Sequence, residues 1–316
     1  MEAQSNDDPT SADEIAQKLV DARVNYLVLG FPKCGTTAFA DWLDLSDRIE
    51  VSNPKETFQL CPEFSENSNR AASLTLETMF DTSAPIRVEA TTLNVYSEQL
   101  RQAAKDITDV KVIILTREPL QSVVSWHNQM LQANLAFSDD FTSAWQHGLG
   151  LNDQMGTGFL RQYHQICSFG SWIEKWVDAV GHQRLLLVEN SELRSKETGE
   201  LRSLLSRFFD TQVELPNLVP ERNVYSSIRF PLLYRLLRSK NVKTFFRKLE
   251  QSFQAFGSIR RFVRDRIMLR RKKKDMPNLD GADLTAYFNS ESETADHLFK
   301  QNRSFWLNHQ ELVDAS

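Results

Sequence analysis

The sequence predicts a three-layer α/β/α fold around a central parallel sheet, with a basic helical segment towards the C-terminus. Three observations carry this reading. Residues 24–29, 110–115 and 185–188 are almost continuously apolar, as strands covered by helices on both faces must be. Between them lie stretches with apolar residues at helical spacing, Ile173, Trp176, Val177 and Val180 on one stripe and Leu201, Leu204, Leu205 and Phe208 on another. A glycine-bounded turn at 30–35 separates the first strand from a helix. Strands that alternate with helices pair in parallel through right-handed crossovers.

In chain order, residues 1–12 read as a tail and 13–22 as a short leading helix. The first strand follows, then the turn, then a helix opening at Thr36 in which Phe39, Trp42 and Leu43 recur on one side. A shorter strand is expected at 86–88. After Asn223 the character changes: 230–274 is basic and helical, and the end is further helix or loop. The expected division is a tail and helix at 1–22, an α/β core at 23–225, and a basic helical part at 226–316 packed on that core.

The 316 residues are 41% hydrophobic and 25% charged, which is ordinary globular material able to bury one large core. Residues 1–13 are polar and acidic, without the basic start and apolar stretch of a secretory signal. No apolar run approaches the roughly 20 residues that span a bilayer. A cytoplasmic protein is therefore expected. Cys34, Cys61 and Cys167 are odd in number and widely spaced, so they give neither a disulfide framework nor metal knuckles and are expected as free thiols. The net charge of −5 hides an asymmetry, because 229–274 holds sixteen Lys and Arg against Glu250 and Asp265.

The most informative stretch is Gly30-Phe31-Pro32-Lys33-Cys34-Gly35-Thr36-Thr37. Backbone N–H groups in such a turn, backed by the positive end of a helix dipole, bind phosphate-like anions. The spacing nearly matches the P-loop ATP-binding pattern, but Thr36 stands where that pattern has its lysine, and the lysine sits inside the loop as Lys33. The strand at 110–115 leads into Thr116-Arg117, a cation where an ATPase needs an aspartate to help hold magnesium. This favours an anionic donor handled without metal. A second constellation is Arg117-Glu118-Pro119 with Ser122 and Ser125. Pro119 suits a first helical turn, which leaves Arg117 at the carboxyl end of a buried strand, where open α/β sheets bind ligands. A guanidinium there can fork onto a phosphate, with Ser125 donating a further hydrogen bond.

Together these two motifs resemble the donor-binding motifs of the sulfotransferase family, closest to its carbohydrate-modifying and bacterial branch. Asn53-Pro54-Lys55-Glu56, Glu89-Ala90-Thr91 and Leu187-Val188-Glu189 fall in the family's order, so the resemblance runs from about Asn25 to Asp210. It implies a P-loop-like fold and sulfuryl transfer from 3′-phosphoadenosine 5′-phosphosulfate to an acceptor hydroxyl, by in-line displacement, with adenosine 3′,5′-bisphosphate as product and no metal required. It places the 5′-phosphosulfate on Lys33, Cys34, Gly35, Thr36 and Thr37, and the 3′-phosphate on Arg117 and Ser125. Lys33 would balance charge on the leaving oxygen, and Glu56 matches the family's proton acceptor. Lys55 and Glu89 would meet the acceptor, expected to be a carbohydrate or polysaccharide, with an acidic one among the alternatives. His127 is a rival base, since cytosolic relatives use a histidine, although a helical histidine is more often structural. The chain departs from the family at Ala90, where several carbohydrate enzymes carry a lysine. It also lacks the glycine- and lysine-rich loop over the 3′-phosphate, for which Arg222 before Asn223 is the substitute.

The basic stretch leaves three readings open: a solvated helical face, a peripheral membrane contact through 229–274, or a track for an acidic acceptor. No nucleic-acid partner is expected. Two rival functions stand beside the sulfotransferase, a P-loop nucleotide kinase and an inactive module that binds polyanions or membranes.

Overall fold

A computed structural model of the chain describes residues 11–67, 74–81, 84–152, 156–220, 226–228, 269–271 and 282–313. Helix α1 (Ala12–Asp21) starts on a capping box in which Ser11 accepts from the Glu14 N–H and the Glu14 side chain answers the Ser11 N–H. Strand β1 (Tyr26–Gly30) is buried along its whole length and feeds α2 (Thr36–Leu43). The chain then makes β2 (Ile49–Val51), β3 (Ile86–Glu89), α3 (Glu98–Asp106), β4 (Lys111–Thr116) and α4 (Pro119–Ala133). Next come α5 (Phe141–Leu149), α6 (Gly156–Phe159), α7 (Tyr163–Ile166), α8 (Phe169–Val180), β5 (Leu185–Glu189), α9 (Asn190–Leu193) and α10 (Gly199–Phe208).

The five strands form one parallel sheet in the order β2-β3-β1-β4-β5. The three long apolar runs are thus neighbours, with Gly30 beside Leu115 and Thr116 beside Glu189. Strand β2, which the sequence reading did not foresee, is only three residues long, too short for periodicity to declare itself. From β1 the chain crosses to β2 and β3 on one side, while β4 and β5 lie on the other. The carboxyl ends of β1 and β4 therefore flank a topological switch point, where such sheets leave a crevice for ligand.

Beyond the core, Ser226–Ile228 (β6) pairs antiparallel with Leu269–Arg271 (β7). This corrects the helical expectation at 269–271, where ladder hydrogen bonds to a partner strand override a local basic pattern. Arg222 and the rest of 229–274 lie outside the described residues.

The last helix, α11 (Ala282–Val313), covers the outer edge of β5. An edge strand leaves N–H and C=O groups without sheet partners, and α11 satisfies them with side chains. Asn302, fully buried, accepts from the Leu187 N–H at 2.9 Å and donates to the Leu185 carbonyl at 2.8 Å. The Trp306 indole donates to the same carbonyl at 2.9 Å, and Arg303 to the Leu187 carbonyl at 3.3 Å. On α8, Glu291 of α11 accepts from the Gly170 N–H at 3.1 Å, serving an end that Ser168 does not cap. No helix among the described residues is long and apolar enough to cross a membrane.

Candidate active site

The loop is built by pinning three successive carbonyls with side chains from α4, from the β4–α4 connection and from α9. Ser122 of α4 donates to the Pro32 carbonyl at 2.5 Å, Arg117 to the Lys33 carbonyl at 3.2 Å, and Asn190 of α9 to the Cys34 carbonyl at 2.9 Å. Fixed this way, the chain takes left-handed backbone at Lys33 (φ 71°) and at Gly35 (φ 100°). Glycine is required at 35 twice over: for that φ, and because a β-carbon would lie 2.6 Å from the Asn190 amide nitrogen. Gly35 then acts as the N-cap of α2 without a side-chain cap, so the opening N–H groups of the helix have no intrahelical partner. This is the arrangement that binds anions.

Two cations converge on the loop. Burial and the neighbouring Arg117 pull the Lys33 ammonium below its ordinary pKa, and burial followed by Arg194 does the same to Arg117. Arg117 also donates to the Gln121 amide oxygen at 3.1 Å, which leaves three of its five N–H groups for a ligand. Neither Lys33 nor Arg117 forms an ion pair with a carboxylate among the described residues. Two like charges held together without a counter-ion raise each other's cost, and a bound anion would repay it. Ser125 sits on α4 with its hydroxyl unpartnered among the described residues, whereas Ser122 is consumed in holding the loop.

Cys34 departs from the expected cofactor contact. Its N–H closes a turn onto the Phe31 carbonyl at 3.1 Å, and its carbonyl is taken by Asn190. Its thiol is fully buried beside Ser122 and pushed up to about 12 by that burial. Cys34 is packing material inside the loop.

The acid side of the site lies after β2 and β3. Glu56 and Phe58 both hold left-handed backbone (φ 64° and 55°), uncommon for residues with a β-carbon and typical of over-determined functional loops. The Glu56 carboxylate receives Lys55 at 2.5 Å, the Thr92 N–H at 2.8 Å and the Thr92 hydroxyl at 2.8 Å. That same Thr92 hydroxyl meets the Thr36 hydroxyl at 2.9 Å. Glu56 is thus one side chain removed from the first residue of α2, although the two are twenty positions apart. Beside Lys55 opens a cleft of about 260 Å³ lined by Asp41, Asp44, Ser52 and Asn53.

Glu89 is placed differently from the sequence expectation. It is fully buried, and its two oxygens accept from the Thr57 hydroxyl, the Thr91 hydroxyl and N–H, and the Asn94 amide. Desolvation raises its pKa, and those hydrogen bonds oppose the rise. It braces the loops carrying Glu56 and Thr92 and offers no open oxygen to an acceptor. His127 is likewise structural. Its Nε2 faces the Asp139 carbonyl at 3.2 Å and so must carry the proton, which leaves Nδ1 to accept from the Tyr163 hydroxyl at 2.9 Å. Asn190, Thr92 and the role of Ser122 were not found from sequence. Asn190, directly after the strand-end Glu189, carried the only usable positional signal.

A loop of helix-terminal N–H groups, backed by buried cations at the switch point of a parallel sheet, defines an α/β protein that handles a phosphate-like donor. The chain belongs to the sulfotransferase family: the family's sulfotransferase-domain model matches residues 24–227, which contain every element of the site. It is 25% identical over 214 residues to the bifunctional heparan sulfate N-deacetylase/N-sulfotransferase 1 of Caenorhabditis briggsae, a match covering 65% of this chain and 24% of that protein. The chain therefore spans about a quarter of that relative's length. A crystal structure of a sulfotransferase from Alicyclobacillus acidocaldarius superposes with a TM-score of 0.54 at 16% identity. The match covers 74% of this chain and 99% of the other, and it shows the shared fold.

Proposed function

We propose that the chain transfers a sulfuryl group from 3′-phosphoadenosine 5′-phosphosulfate to a hydroxyl of a carbohydrate. The observation that carries this is the convergence of Lys33, Arg117 and the open N-terminus of α2 on one loop, with the Glu56 carboxylate tied to it through Thr92. This donor set fits a doubly anionic nucleotide: helix N–H groups and Lys33 for the phosphosulfate end, Arg117 and Ser125 for the 3′-phosphate. The donor supplies an activated sulfuryl group. In the transfer, the acceptor oxygen bonds to sulfur as the bond from sulfur to the phosphate oxygen breaks. Glu56 takes the acceptor's proton, and Lys33 balances the charge left on the phosphate oxygen. Lys55 and the cleft beside it lie on the acceptor side. The curated relative is named for heparan sulfate, which supports a sugar acceptor and makes an amine the alternative to a hydroxyl.

The test is transfer of label from ³⁵S-donor to heparan-type polysaccharides whose amines are either free or acetylated. Label on both forms, lost on Glu56→Gln, supports hydroxyl transfer. Label confined to the free-amine form moves the reaction to nitrogen, and label on neither removes this acceptor class.

A further inference from the structure

Thr92 ties the two halves of the site together, and the direction of its hydrogen bonds can be assigned. Its hydroxyl has one proton, which goes to Glu56 Oε1 at 2.8 Å because a carboxylate only accepts. The 2.9 Å contact between the Thr36 and Thr92 hydroxyls must then have Thr36 as donor. The chain therefore runs one way, from Thr36 to Thr92 to Glu56. The Thr92 N–H holds the second oxygen of Glu56 at 2.8 Å, and Lys55 holds the first at 2.5 Å, so the carboxylate stays in place whichever way the hydroxyl turns.

We infer that Thr92 is a positioning residue that couples anion binding at Thr36 to the release of Glu56 Oε1. The inference rests on reading the loop at 30–37 as the donor site. An anion that draws the Thr36 proton to itself turns Thr36 Oγ1 into an acceptor. The Thr92 proton then swings onto Thr36, and Glu56 Oε1 gives up one of its two donors. A second lone pair, on Oε1, is thereby freed for the acceptor's proton when the donor nucleotide is in place. Such a coupling is reciprocal, so the Thr92 bond to Glu56 must also oppose donor binding. Hydrogen bonds in a chain reinforce one another, which couples reversal of the Thr36–Thr92 bond to loss of the Thr92–Glu56 bond.

This gives an unusual expectation: deleting a hydroxyl beside the donor site tightens binding. Calorimetric titration with adenosine 3′,5′-bisphosphate should show Thr92→Val binding about threefold to tenfold more tightly than the unsubstituted chain, the size of one ordinary hydrogen bond. Thr92→Ser should return to the original affinity. Within a Thr36→Val background, adding Thr92→Val should change nothing. Thr92→Ala supplies a second hydroxyl-free variant, with thermal melting measured on each. Binding that Thr92→Val weakens or leaves unchanged, or that it tightens equally in the Thr36→Val background, overturns the coupling and leaves the donor site standing. Failure of the unsubstituted chain to bind the bisphosphate overturns the donor-site reading and the coupling with it.

Discussion

At Gly35 a missing methyl group decides whether the loop exists. Alanine there would meet left-handed backbone, costing about 1–2 kcal/mol, and would drive its β-carbon against Asn190. Gly35→Ala is expected to lower the melting temperature and abolish bisphosphate binding, while Asn190→Ala in the same protein should recover part of the stability. Thermal melts of the single and double variants measure both effects. Lys33 makes a second prediction at this scale. Burial and Arg117 depress its pKa, and a bound anion must raise it again. Between the two values the chain takes up a proton on binding, so affinity falls as pH rises through that window. Titration at alkaline pH in buffers of different ionisation enthalpy should show the uptake, and Lys33→Met should remove it. The residue scale also holds what sequence could not reveal. Thr36 and Thr92 are 56 positions apart and Cys34 and Asn190 are 156 apart. No periodicity links them; only the sheet order does.

Among the elements, α11 explains how the β5 edge is kept from pairing with another chain. Asn302→Leu would leave the Leu187 N–H buried without a partner, while the Leu185 carbonyl keeps Trp306. The expected loss is about 1–3 kcal/mol, read by chemical denaturation, with donor affinity unchanged because α11 lies across the sheet edge from the loop. Helix α4 carries one source of pH dependence. His127 is held neutral by burial, its pKa lowered from 6.5 in spite of the Asp139 carbonyl and nearby acidic groups. At this group the unfolded chain therefore protonates first, and the histidine contribution to stability declines as pH falls below about 6.5, while the raised carboxyl pKa values of Glu63, Glu89, Glu192 and Glu291 act in the opposite sense. His127→Gln should flatten that decline without removing it, because burial lowers the His164 pKa too. Melting curves from pH 7.5 to 5 decide the point. The long strands were legible because a strand covered on both faces is nearly all apolar. Strands β2 and β7 were not, since three residues carry no period and their formation depends on a partner already in place.

Across the whole molecule, the fold class and the position of the donor loop followed from the order of apolar runs and from Gly30-Phe31-Pro32-Lys33-Cys34-Gly35 standing between a strand and a helix. The partition of charges did not follow. Glu56 and Glu89 were both expected at the site from sequence, yet one is partly exposed next to Lys55 and the other is sealed under four donors. Which of two carboxylates faces solvent is settled by loop backbone, here the left-handed Glu56 and Phe58, and composition cannot report it. The loop and Arg117 are proposed to form a site for a 3′-phosphorylated adenosine nucleotide. Calorimetric titration with adenosine 3′,5′-bisphosphate, and separately with ATP plus magnesium, tests it on the unsubstituted chain and on Arg117→Ala. The expected result is binding of the bisphosphate that weakens by at least about tenfold in Arg117→Ala, as when a charged hydrogen-bond donor is removed. Binding of ATP with magnesium, together with indifference to the bisphosphate, would contradict it.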